Sequence, residues 1–265
     1  MSPREIAARA LGLSADQIVS IEEIKHGLTN ESWLARSAND AVVVRISNRH
    51  WTSLQIDRVT EATVLDAVAR AGIGAEIVTS DANRGVLVTR FTGPTCAAET
   101  MTQPATIERL GQTFRALHAL PVPTDVRTVE LPSLIGGYLD TLDTLSVVSA
   151  LTASEMRERG LTLASNIADS ADVKLCHNDV HHLNVIASEP MRFIDWEYAG
   201  VGEPYFDLAS VCVYHDYTME QRAQLLRAYA GTVGPIELER LAKCCWLFDY
   251  VRELWSLVRA SLADK

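Results

Sequence analysis

Two β-branched runs stand out in the first third of the chain: AVVVRIS (Ala41–Ser47) and GVLVTRF (Gly85–Phe91). Each follows a cluster of turn formers, SAND and SDANRG, so both read as strands. Between them DRVTEATVLDAVARAG reads as a helix that Gly72 closes from the C′ position. From Pro104 onward helical periodicity dominates. Pro104 suits the first turn of PATIERLGQTFRALHAL, where Leu110, Phe114 and Leu117 share a face. Thr218 and Gln221 form a capping-box pattern, and Pro235 opens a long final helix. The pattern changes from β-rich to α-rich near Phe91–Thr95. The fold class expected is α+β, with a small sheet lobe carrying a helix (1–92) and a larger, mainly helical lobe (93–265).

Composition narrows the classes. The 265 residues are 48% hydrophobic and 22% charged, with a net charge of −10 and a pI near 5.2. An acidic surface argues against nucleic acid and anionic membranes as partners and is compatible with a cationic substrate. No apolar run approaches a membrane span, and the N-terminus lacks an apolar signal core, so a cytoplasmic location is expected. Five cysteines without paired spacing, apart from the adjacent Cys244 and Cys245, read as buried thiols. No protein partner is legible.

CHNDVHHLNVI (Cys176–Ile186) concentrates candidate chemistry. One reading makes His177, His181 and His182 metal ligands, although the glutamate of H-E-x-x-H is missing. A second makes the stretch a polar loop whose histidines bond backbone groups. In a third, His177, Asp179 and Asn184 form H-x-D-x-x-x-x-N, with Asp179 taking the proton of a hydroxyl and Asn184 holding Mg²⁺. A short apolar run then delivers Asp195, a second carboxylate suited to a hard cation.

CHNDVHHLNVI followed by FIDWEYAGVGEPYFDLA resembles the choline/ethanolamine kinase branch of the aminoglycoside-phosphotransferase-like kinases. The resemblance extends upstream through HGLTNESWLA and VVVRIS, and downstream to ELWSLV. It implies a bilobal protein-kinase-like fold, ATP as phosphoryl donor with Mg²⁺, and a small-molecule alcohol as acceptor. Within it, Gly27, Leu28, Thr29 and Asn30 correspond to the phosphate loop, with His26 where a first glycine often sits. Arg45 is the strand cation for phosphates, and adenine meets the backbone around Thr89–Phe91. Glu61 shares an apolar helix face with Leu65 and Val68, where an unpaired carboxylate is costly, so Arg45 is its expected partner.

For the acceptor, the candidates are Tyr198, Tyr214 and Trp255 as aromatic faces, with Glu197, Asp207 and Glu253 as carboxylates. Asp207 reads better as a brace for the catalytic loop, and His118 as a buried structural histidine. Arg252 stands where the family often has an aromatic. It either projects into the site or points away, leaving Trp246 or Tyr250 to complete a cage. Choline and ethanolamine lead as acceptors, with thiamine, an aminoglycoside or another sugar as alternatives. Competing classes are a catalytically silent binding protein of the same fold and a histidine-metal hydrolase.

Overall fold

The computed structural model describes residues 1–25, 30–47, 54–168 and 172–263. Five strands form one antiparallel sheet in the order β1-β2-β3-β5-β4. They are β1 (Ser20–Ile24), β2 (Asn30–Arg36), β3 (Ala41–Ser47), β4 (Ile77–Asp81) and β5 (Val86–Arg90). The two β-branched runs thus become the interior strands β3 and β5. Val42 and Val44 are fully buried on one face of β3, in a small core with residues of α1 (Pro3–Leu11). Alternation therefore turns Val43 and Arg45 to the other face, where both line a cleft.

Helix α2 (Arg58–Arg70) begins where Asp57 accepts hydrogen bonds from the Val59 and Thr60 amides. It stops because Gly72 takes φ 73°, a left-handed conformation costly to other residues. Val64, Leu65 and Val68 of α2 join the large core of the helical part. That part contains α3 (Pro104–His118), α4 (Leu131–Thr144), α5 (Ser154–Ala168), α6 (Pro204–Tyr214), α7 (Met219–Ala230) and α8 (Pro235–Ala263). Thr218 and Gln221 form the expected capping box on α7, and Pro235 starts α8.

Short strands position the loop between α5 and α6. β6 (Lys174–Cys176) pairs with β9 (Gly200–Gly202), and β7 (Val185–Ile186) with β8 (Arg192–Phe193). The second pair carries the chain from Asn184 back to Asp195. All five cysteines are buried free thiols. No helix among the described residues is long and apolar enough to cross a membrane.

Candidate active site

A cleft of about 560 Å³ opens between the sheet and the helices. Asp179, Asn184 and Asp195 all line it, together with Arg45 and Glu61. Gly27, Leu28 and Thr29, expected in the phosphate loop, lie outside the described residues.

The backbone of the loop that begins at His177 is held from below by Asp207. Its carboxylate accepts hydrogen bonds from the His177 amide (2.9 Å) and the Asn178 amide, and contacts His118 Nε2 at 3.0 Å. His118 Nδ1 meets Tyr229 Oη at 2.9 Å. Asp207 is completely buried, so it acts on the loop and not on a ligand. His118, Cys176 and Asp207 do cluster, but these contacts already occupy the histidine and the aspartate. His177 is also fully buried. Its Nε2 bonds the Ile194 carbonyl (2.9 Å), and its Nδ1 accepts from the Asp179 amide (3.3 Å). With both ring nitrogens engaged, His177 cannot join His181 and His182 around a metal. It braces the loop, and the three-histidine reading fails.

Asp179 is set by its neighbours. Tyr214 Oη donates to Oδ1 at 2.8 Å, and Asn184 Nδ2 donates to the Asp179 carbonyl at 2.9 Å. Burial pushes the Asp179 carboxyl up to about 6, against the lowering effect of the Tyr214 hydrogen bond. The neighbouring His181 is pushed down to about 4 by burial and by His182 and His177, so it is neutral at pH 7. Asn178 and Asp195 adopt left-handed backbone (φ 67° and 63°) on either side of the site. Short Asx side chains tolerate that conformation, which turns the chain sharply where the polar groups converge.

A buried ion network closes the sheet side. Arg45 contacts Glu61, and its Nη1 lies 2.7 Å from Asp195 Oδ1. Arg58 Nη1 lies 2.7 Å from Glu61 and 3.2 Å from Glu197. Asn30 Nδ2 donates to Glu197 (2.8 Å), and Arg58 Nη2 donates to Asn30 Oδ1 (2.8 Å). The expected Arg45–Glu61 pair is therefore present, within a larger network. Burial raises Asp195 more than the Arg45 charge lowers it.

Two expectations need correcting. Glu197 lines the cleft but is 3% exposed and held by Arg58 and Asn30, so its charge is already compensated and it is no free counter-ion for an acceptor. Arg58, which organises it, belongs to no sequence motif; only its position three residues before Glu61 hints at it. The Phe91 amide is likewise bonded to the Ala41 carbonyl at 2.9 Å, and that of Arg90 to Glu76 at 2.8 Å. Thr89 and Phe91 line the cleft, but the Phe91 N–H is not available to adenine.

On the helix side, Trp255 Nε1 donates to Tyr198 Oη at 2.8 Å. Arg252 lines the cleft, with its guanidinium 5.8 Å from the Tyr214 ring centroid. It also contacts Asp249 (2.6 Å) and Glu253 (3.3 Å), which are largely exposed. Trp246 and Tyr250 stack on each other, and Tyr250 bonds the Leu151 carbonyl. Neither lines the cleft, so neither completes a cage there.

The donors present suit a hard cation. Asp195 offers a carboxylate that is about one-third exposed. Asn184 uses Nδ2 on Asp179, and its Oδ1 has no protein partner among the described residues. Oxygen ligands of this kind fit Mg²⁺.

Residues 20–243 match a family model described as the phosphotransferase enzyme family. The chain is 26% identical over 212 residues to protein LicA of Haemophilus influenzae, covering 77% of this chain and 61% of that protein. It thus spans about three fifths of that relative's length. It is 24% identical to ethanolamine kinase 2 of Rattus norvegicus over 91% of this chain and 70% of that one. A solved structure of a choline/ethanolamine kinase family protein from Mesorhizobium loti superposes with a TM-score of 0.79. It shares 28% identity over 99% of this chain and 87% of its own.

Proposed function

The chain belongs to the phosphotransferase enzyme family, and from that premise we propose that it transfers the γ-phosphoryl group of ATP to the hydroxyl of a small alcohol carrying an ammonium group. The observation that carries this reading is the convergence of Asp179, Asn184 and Asp195 on one cleft also lined by Arg45.

Asp179 is the general base. Its raised carboxyl remains mostly ionised at pH 7, yet is basic enough to take a hydroxyl proton as the oxygen attacks phosphorus. Tyr214 fixes Oδ1, and the acceptor hydroxyl meets Oδ2, which Asn184 Nδ2 approaches at 3.5 Å. Arg45, oriented by Glu61, meets the donor phosphates. Asn184 and Asp195 would hold Mg²⁺. That ion, when bound, neutralises charge developing on the transferring group. Thr92 and Gly93 follow β5 along the cleft wall, and Thr92 Oγ1 is buried without a partner among the described residues. They take the place of the occupied Phe91 N–H in meeting adenine.

The acceptor's ammonium rests on Tyr198 or Trp255; the Arg252 guanidinium already lies over the Tyr214 ring, its charge offset by Asp249 and Glu253. Similarity to the choline/ethanolamine kinase family protein puts choline and ethanolamine first, ahead of thiamine or an amino sugar. The test is ADP release from ATP with Mg²⁺ across a panel of alcohols, with Asp179→Asn as the control. Turnover that depends on one alcohol and falls about a hundredfold or more in the variant supports the reading. Nucleotide binding without turnover on any alcohol would make the protein a silent binding module.

A further inference from the structure

We infer that the acceptor carries an oxyanion, of carboxylate type, in addition to its ammonium and hydroxyl groups, and that Arg127 receives it. This rests on the phosphotransfer and ammonium reading above and departs from it in the acceptor's identity, since choline and ethanolamine lack the carboxylate.

Arg127 lines the cleft. Its backbone is fixed on two sides. Its amide donates to Thr60 Oγ1 (3.1 Å), and its carbonyl accepts from the Val201 amide (2.9 Å). Gly200 permits that approach, since a Cβ there would lie 2.9 Å from the Arg127 carbonyl oxygen. The side chain is oriented as well. Nε donates to the Ala199 carbonyl at 3.3 Å, and Nη1 to the Gln55 carbonyl. Carbonyls orient a guanidinium without cancelling its charge. Among the described residues no carboxylate lies within ion-pair distance of Arg127. Asp57, the one carboxylate among them whose charge raises the Arg127 guanidinium, is already engaged, its Oδ1 capping α2.

The position is at the acceptor end of the cleft. The Ala199 carbonyl that Arg127 Nε bonds follows Tyr198, whose hydroxyl accepts from Trp255, and Arg127, Tyr138, Tyr198 and Asp179 line the same cleft. A partly buried, pre-oriented cation whose Nη2 has no partner among the described residues is a site for an anion, because a desolvated charge is disfavoured until it is paired. The protein's own carboxylates do not serve: Glu61 and Glu197 are held by Arg45 and Arg58. Nor is the donor nucleotide the natural source, because its phosphates belong on the Arg45 side. The acceptor is then a zwitterionic hydroxy compound. Its hydroxyl lies at Asp179, its ammonium on the aromatic faces and its carboxylate on Arg127.

Matched acceptors that differ by one carboxylate test this directly: serine against ethanolamine, homoserine against 3-aminopropan-1-ol, and carnitine against β-methylcholine. The wild-type enzyme should favour the carboxylate member of at least one pair by about ten- to a hundredfold in kcat/KM, the scale of a charge-assisted hydrogen bond. Arg127→Gln should collapse that ratio, and Arg127→Lys should restore part of it. The ratio within a pair is unaffected by loss of folded enzyme, so a purely structural role for Arg127 would leave it unchanged. Turnover of the decarboxylated members alone, or a ratio insensitive to Arg127, overturns the inference and leaves the kinase reading intact. No ADP release with any alcohol overturns both.

Discussion

Tyr214 Oη lies 2.8 Å from Asp179 Oδ1 and donates a hydrogen bond to it, although the two residues are 35 positions apart. The bond favours the ionised carboxylate while burial disfavours it. Activity that needs ionised Asp179 should fall as pH drops through about 6. Tyr214→Phe removes the lowering influence, so the acid limb of kcat/KM should shift to higher pH, by roughly one unit for a hydrogen bond of ordinary strength. An acid limb at the wild-type pH in this variant would separate Tyr214 from the titration of Asp179.

Glu61 is 2% exposed and faces both Arg45 and Arg58. Glu61→Gln leaves two buried guanidiniums short of a partner and should cost about 3–5 kcal/mol of stability. The pH dependence has a definite sign. Burial tends to raise the Glu61 carboxyl, but Arg45 and Arg58 outweigh it, and the net shift is downward. Its contribution is therefore complete above the ordinary glutamate range, about pH 4–5. It is lost as pH falls through the lower folded value. Denaturant midpoints measured from pH 7 to 3 should fall more steeply for wild type than for Glu61→Gln.

Arg45 shares Glu61 and also touches Asp195. In a double-mutant cycle, Arg45→Ala and Glu61→Ala should show strongly non-additive losses in kcat/KM for ATP, because both variants remove the same contact. Simple additivity would mean that Glu61 acts through Arg58 alone.

Trp255→Leu removes an aromatic face and the 2.8 Å hydrogen bond to Tyr198. The acceptor's KM should rise about 2- to 30-fold, corresponding to a cation–π contact of about 0.5–2 kcal/mol, with little change in the KM for ATP. A rise confined to ATP would move Trp255 out of the acceptor site.

Asp207→Ala should lower both stability and turnover. It leaves the His177 and Asn178 amides without their buried acceptor, a loss of about 3 kcal/mol or more. Chemical denaturation measures the first effect. A variant with full stability would mean that the loop is held by Ser210, which bonds the Val180 backbone.

The sequence by itself determined the features that local pattern controls. β3 occupies Ala41–Ser47 because of its β-branched run, α2 ends at Gly72, and Pro235 opens α8. It also located Asp179, Asn184 and Asp195, whose spacing follows from one short loop and hairpin, and it paired Glu61 with Arg45 because a buried carboxylate requires a cation. Tertiary structure alone decided which side chains meet across long separations. Asn30 reaches Glu197, Tyr214 reaches Asp179, and His177 turns into the core away from its neighbours His181 and His182. It also put Trp246 and Tyr250 outside the cleft that Trp255 lines, although all three share α8. The physical reason is that helical or strand period fixes which face a residue occupies relative to its neighbours in sequence. What that face meets depends on how distant elements pack, and no local pattern carries that information.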